Sequence, residues 1–371
     1  MERVNHLVVG GGVYGSHIAL ALEEAFPHDR TLLLESSEEL LSGASTHNHG
    51  RLHGGYQYPL DSHTAMQARD DVGKFVNDYG STVQKARGAY NGIHRDSVVS
   101  PLEYEQFCDS LNLAYRKTDA AGLFGQEIAA AYEVDETSFS LSALQRLVIG
   151  RVNNSGVEVH HNTRVESITK DGMYNRVGIA GEEPLLARNV FNCTYGQINN
   201  VHLNSNLPIL PITNDKYVLF GIDLPEELRD VSATVMYGPF GSIVANDNWG
   251  THVLAHVIHS NIERTKNFAS DNTLANADDL SSRAFAALRD TRQYLLPLSE
   301  ATRQTDMVWN RAVLGDVPEK GVRSAFMQTE YGGLQGYNVV LGGKMTGFYR
   351  AVDFAIGAVM NNEASSRAAA S

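Results

Sequence analysis

A chain of 371 residues with 43% hydrophobic content can bury one large core or two moderate ones, and its length suggests two or three domains. A net charge of −13 and a pI near 5.5 argue against DNA or RNA as a partner, because phosphate binding relies on clustered Lys and Arg. Two cysteines, Cys108 and Cys193, lie far apart and in no motif, which excludes a disulfide framework and points to a reducing compartment.

Met1 leads through charged residues straight into a strand, with no signal peptide and no long apolar span. A cytoplasmic protein without a membrane span is therefore expected. His6 to Val9 reads as a short buried strand, followed by Gly10-Gly11-Gly12-Val13-Tyr14-Gly15. Ile18, Leu22 and Ala25 then recur at helical spacing until Pro27, and Thr31 to Leu34 form a second apolar strand ending at Glu35. The unit is βαβ. Residues 36–59 lack periodicity and read as loop, Asp61 to Tyr79 as helix, Ser100 to Leu111 as an amphipathic helix and Ser140 to Val152 as another. Strands follow at GVEVHH, RVESITKDG and Ala187 to Thr194. Alternation dominates Lys216 to His259, which suits an antiparallel sheet. Asp278 to Tyr294 reads as an amphipathic helix, Tyr337 to Leu341 as a strand, and Gly342-Gly343 as a turn into an apolar helix reaching about Met360. The polar tail beyond is expected to fray. No linker separates these segments, so the domains should be interleaved.

The glycines at 10, 12 and 15 follow a strand and open a helix, as a dinucleotide site requires. Gly10 permits the tight turn, Gly12 lets the backbone approach a pyrophosphate, and Gly15 lets helix and strand pack closely. The helix N-terminus offers unpaired N–H groups and positive dipole to phosphates. Glu35, twenty residues after Gly15, can accept from ribose hydroxyls. The pattern alone serves NAD and FAD equally.

Residues 43–58, GASTHNHGRLHGGYQY, separate the two cofactors. Gly43-Ala44-Ser45 with Asn48 and Gly50 resemble the amino-acid and glycine oxidase branch of the D-amino-acid-oxidase-like FAD enzymes. His53-Gly54-Gly55 with Tyr58 resemble the FAD-dependent glycerol-3-phosphate dehydrogenase branch, as does the turn Gly342-Gly343-Lys344-Met345-Thr346. The strand holding Val165 and the segment ending at Gly196 sit where this superfamily completes its FAD domain. The sequence departs from the glycerol-3-phosphate enzymes by carrying Gly50 and Gln57 where they carry Lys and Arg, so a phosphorylated substrate is not expected.

The resemblance implies a Rossmann-like α/β FAD-binding domain interleaved with an antiparallel-sheet α+β substrate domain. Residues 1–92, 141–212 and 301–362 would form the first, and residues 93–140 and 213–300 the second. FAD contacts would come from Gly10, Gly12, Val13, Tyr14, Gly15, Glu35, Ser45, His47, Asn48, His49, Gly50, Val165, Gly196, Gly343, Lys344, Met345 and Thr346. FAD chemistry would oxidise a C–N or C–O bond of a small amine, amino acid or hydroxy acid by hydride transfer to flavin N5. His53 is the candidate base, Tyr56 a second polar group, and Arg323 or Lys344 the anion contact, with Arg311 a further candidate. A dinucleotide-binding protein with a structural or sensory cofactor is the alternative, and oligomeric state is left open. His47, His49 and His53 crowd one loop, but no Cys accompanies them and no known metal spacing fits, so no metal is expected. His252 and His256 fall on one strand face and read as core or sheet residues. Finally, Gly43, His47 and Gly50 match the spacing by which the dimethylglycine-dehydrogenase branch links a histidine to flavin. Thr46 stands where that branch prefers Trp, and a simple hydrogen-bonding role for His47 or His49 is the favoured expectation.

Overall fold

Apolar alternation in strand Arg3–Val9 sends Val8 into one core cluster and Leu7 and Val9 into another, so both faces of the first strand are covered. The computed structural model describes residues 1–84, 87–120, 122–246, 250–270, 276–315 and 325–370. Helix Val13–Ala25 buries Ile18, Ala19 and Leu22, and strand Thr31–Leu34 lies parallel to the first. Among the described residues eight strands make this sheet, six of them in the order 165–171, 174–179, 185–192, 3–9, 31–34 and 158–160. Strand Tyr337–Leu341 runs parallel beside Leu185–Asn192 and carries Phe326–Gln328 on its other edge. The α/β dinucleotide layer expected at the N-terminus is present.

Helices Val13–Ala25, Leu141–Asn153 and Phe348–Ala370 share one core cluster, through residues such as Leu22, Val148 and Ala355. His17 sits inside it, stacked on Phe348 at 3.7 Å, and its Nδ1 donates to the Val13 carbonyl. Its Nε2 accepts from the Tyr79 hydroxyl, so a neutral imidazole is fully satisfied. Burial pushes its pKa down to about 4, which keeps it neutral. The last helix runs ten residues past the expected end at Met360. Asn362 anchors that extension: it donates to Asn189 at 2.6 Å and accepts from Gln335 at 3.1 Å.

Among the described residues the second sheet has nine strands. Its spine is Ile212–Asp223, paired along its length with Thr302–Leu314. Helix Ala277–Thr291 covers it, with Ala284 and Ala287 joining Phe220 and Leu254 in one cluster. Two features of this sheet are not readable from local pattern. Gly88–His94 and Thr302–Leu314 hydrogen-bond into this sheet, although sequence position groups them with the dinucleotide layer. The sheet is also not wholly antiparallel, since Val231–Met236 runs parallel to Gly88–His94. Strand partners far apart in sequence leave no local pattern that would announce these pairings. A small third sheet joins Arg51–Leu52, Thr137–Phe139 and Val83–Gln84. That short ladder brings residue 136 beside residue 53. Among the described residues no helix is long and apolar enough to cross a membrane.

Candidate active site

The three glycines of the first turn answer to three different constraints. Gly10 has φ +96°, and a Cβ there would lie 2.9 Å from the Cys193 carbonyl oxygen. A Cβ on Gly15 would lie 1.9 Å from the Gly10 carbonyl oxygen, so helix and strand could not approach. Gly12 has φ −67°, which any residue adopts, and a Cβ there would meet only Ser45 Oγ at 3.3 Å. Its lack of a side chain leaves space in front of the helix rather than relieving the backbone. No side chain of Gly12 caps the helix, and the Val13 N–H donates to Ser45 Oγ at 2.9 Å. Glu35 turns one oxygen to this turn, Oε2 accepting from Gly11 N at 2.6 Å, while Oε1 accepts from Ser37 N at 2.8 Å and the Ser36 hydroxyl at 3.2 Å.

In front of the turn opens a cavity of about 1140 Å³. A single small-molecule pocket typically holds about 300–1,000 Å³, so this one has room for a dinucleotide and a small substrate. Its wall includes Gly10, Gly12, Val13, Tyr14, Glu35, Ser45, His47, Asn48, His49 and His53, together with Val165, Gly196, Gly343, Lys344, Met345 and Thr346. The residues expected at a cofactor from opposite ends of the chain are thus brought together. Gly15 and Gly50 stand behind the wall. Gly50 has φ +63°, and a Cβ there would collide with Asn246 Nδ2 at 2.2 Å and approach the Phe139 carbonyl oxygen at 2.8 Å. Its role is to shape the loop.

Tyr56 is the clearest departure. Its hydroxyl donates to the Ala114 carbonyl at 2.6 Å, and its ring packs in a cluster with Tyr104 and Tyr132, away from the cavity. Tyr58, two residues on, lines the cavity instead. Arg323 lies outside the described residues. His252 and His256 are buried in the second sheet, as expected, and neither lines the cavity. His256, His259 and Asp290 do bring three possible ligand atoms within 4.8 Å of one another. There His256 Nδ1 accepts from the N–H groups of Ile258 and His259, which places the ring proton on Nε2, while Asp290 is engaged by His259 and Arg289.

Among the cations of the cavity wall, Lys344, Arg311, Lys216 and Arg51 come from separate elements and differ in what holds them. Lys344 donates through Nζ to the Thr64 carbonyl at 2.7 Å and lies 4.7 Å from the centre of the Tyr58 ring. Its own carbonyl accepts from the Tyr14 hydroxyl at 2.6 Å. A Cβ on Gly342 would lie 2.4 Å from the Tyr14 ring, so that turn and Tyr14 interlock. Arg311 is bound to the fully buried Asp215 and sits 5.0 Å over the Tyr217 ring, while Arg264 holds the other Asp215 oxygen at 2.6 Å. Lys216 comes from the same strand as Tyr217. Arg51 differs from these: among the described residues it has no ion-pair partner within 4.0 Å, and only the longer-range charges of Glu136 and Tyr58 act on it. Burial pushes its pKa down, and the Glu136 charge opposes that.

Sequence reasoning did not single out Arg51, Lys216, Tyr217, Trp309 or Glu136. For Arg51 a signal existed, since it lies two residues before His53 in the same loop-and-strand segment. The others arrive through pairings of Tyr217 with Trp309 and Leu52 with Thr137, which no local pattern announces.

The family model described as FAD dependent oxidoreductase, DAO, matches residues 5–310. The FAD-dependent monooxygenase FPY4 of Fusarium mangiferae is 43% identical over 72 residues, a match spanning 19% of this chain and 19% of that relative's length. Among solved structures, glycine oxidase from Geobacillus kaustophilus is similar over 96% of this chain and 93% of its own, with a TM-score of 0.71 at 15% identity. Iminodiacetate oxidase from Chelativorans sp. BNC1 is similar over 96% of this chain and 95% of its own, with a TM-score of 0.70 at 13% identity. The FAD-bound L-alpha-glycerophosphate oxidase from Mycoplasma pneumoniae is similar over 97% and 95% respectively, with a TM-score of 0.68 at 14% identity.

Proposed function

This chain belongs to the DAO family of FAD-dependent oxidoreductases, and we propose that it oxidises a C–N or C–O bond of a small amino or hydroxy acid whose carboxylate is held by Arg51. The observation that carries the reading is Arg51 itself, a cation in the cavity wall beside His53 and Tyr58 with no ion-pair partner within 4.0 Å among the described residues. A guanidinium so placed matches a carboxylate in geometry and charge.

The cavity fits FAD by its own construction. Gly12 leaves space at the helix N-terminus beside the Ser45 hydroxyl that engages the Val13 N–H, where a pyrophosphate would be held, and Glu35 Oε2, accepting from Gly11 N alone, has acceptor capacity left for a ribose hydroxyl. The loop Ser45 to His49 and the turn Gly343 to Thr346 would hold the ring system. Bound FAD supplies the acceptor for the hydride that leaves the substrate carbon. The chain then has three tasks. Arg51 orients the substrate, and His53 takes the proton released from its nitrogen or oxygen as the C=N or C=O bond forms. Lys344, tied to Thr64 and Tyr58, keeps the C-terminal turn in place.

FAD-loaded protein mixed without oxygen with a panel of small amino and hydroxy acids tests this. The flavin should bleach with at least one acid and not with the amine or alcohol lacking its carboxylate. A flavin that stays oxidised across the panel would favour a structural or sensory cofactor.

A further inference from the structure

Behind His53 lies a carboxylate that no part of the proposed reaction yet uses. Glu136 precedes strand Thr137–Phe139, and the antiparallel pairing of Leu52 with Thr137 sets it across from His53. It is 7% exposed. Oε1 accepts from Gly54 N and Oε2 from the Gln57 side chain, both at 3.2 Å. Gln57 is steadied in turn by Asn91, which donates to the Tyr104 hydroxyl at 2.8 Å. Two N–H donors and the Arg51 charge favour the ionised carboxylate, while burial works against it and pushes its pKa up. His53 Nδ1 is buried and lies 3.9 Å from Glu136 Oε1, whereas the ring as a whole is part of the cavity wall. The imidazole thus has a carboxylate on one edge and the cavity on the other.

We infer that Glu136 is the positioning residue of His53, fixing the ring with Nδ1 toward the carboxylate and stabilising the imidazolium that forms when His53 accepts a substrate proton. The inference rests on the reading of the cavity as the site of oxidation. An isolated carboxylate in that position would cost more than it returns, because a buried charge needs partners. Arg51, acting at longer range from strand Arg51–Leu52, and His53, just beyond that strand at 3.9 Å, are the cationic groups that offset it. Tyr58 faces His53 edge-on at 5.9 Å and carries the Lys344 ammonium over its own ring. The Arg51 and Lys344 charges on this wall disfavour an added positive charge on the imidazole, and the Glu136 carboxylate favours it.

The test uses FAD-loaded protein carrying ring-labelled histidine, with the His53 NMR signal assigned by its loss in His53→Gln. In Glu136→Gln, which keeps an acceptor for Gly54 N but removes the charge, the His53 titration midpoint should fall by about one pH unit or more. Glu136→Asp, which withdraws the charge by one methylene, should move it the same way by less. The acid limb of anaerobic flavin reduction should follow the same shift, with bound flavin unchanged. A His53 midpoint that stays in place in both variants would overturn the inference. A midpoint that moves while the acid limb stays fixed would overturn instead the role of His53 as base, leaving the Glu136–His53 coupling established.

Discussion

Gly12→Val protein should purify folded and colourless. At φ −67° the backbone accepts any L-residue, and a Cβ meets only the Ser45 hydroxyl at 3.3 Å, which a side-chain rotation relieves. The valine methyls would stand in the space before the Val13 N–H, where the pyrophosphate is proposed to lie. FAD content should drop from about one per chain to near zero, with the far-ultraviolet circular dichroism retained. Gly15→Val provides the contrast. Its Cβ would start 1.9 Å from the Gly10 carbonyl oxygen, so helix Val13–Ala25 must move off the strand. Overpacking of this kind costs typically 1–3 kcal/mol, and flavin and stability should be lost together. Flavin retained at full occupancy in Gly12→Val would place the pyrophosphate elsewhere.

Arg51→Met should raise KM by about 10- to 150-fold while the flavin stays bound. That range corresponds to the roughly 1.5–3 kcal/mol of a hydrogen bond to a charged group, at tenfold per 1.36 kcal/mol. Met keeps the apolar stem that Arg51 contributes to the wall and removes the guanidinium. Lys344→Met should cost less in KM, because its ammonium is already engaged by the Thr64 carbonyl and the Tyr58 ring. Steady-state kinetics with the best acid of the panel measure both. An unchanged KM in Arg51→Met with a large rise in Lys344→Met would transfer the anion contact to the C-terminal turn.

Much of the dinucleotide half was legible because its signals are local. Gly10, Gly12, Gly15 and Glu35 lie within one βαβ unit, and their meaning follows from backbone conformation and contact over a few residues. The loop at 43–58 was legible as a candidate site loop, and much of it lines the cavity, but its detail was not legible. Tyr56 and Tyr58 are equally plausible in sequence, and they diverge because Tyr56 finds the Ala114 carbonyl inside an aromatic cluster. Gly50 and Gln57 suggested a cavity short of cations, yet Arg51 beside them supplies one. Glu136, 83 residues from His53 by number, comes near it only through a two-residue ladder, and nothing in its own neighbourhood marks it. The pairing of Ile212–Asp223 with Thr302–Leu314 is hidden for the same reason, and with it the Trp309 and Arg311 side of the wall.

His47 lines the cavity with its Nδ1 donating to the Gly43 carbonyl at 2.9 Å, which places the ring's lone pair on Nε2 and suits a hydrogen-bonding role. Acid denaturation of the purified yellow protein tests the cavity's contents most directly. The account predicts about one equivalent of FAD per chain, and not FMN, wholly in the supernatant. Flavin held in the pellet and lost in His47→Ala would establish a covalent link instead, and a colourless protein that binds NAD would contradict the account at its root.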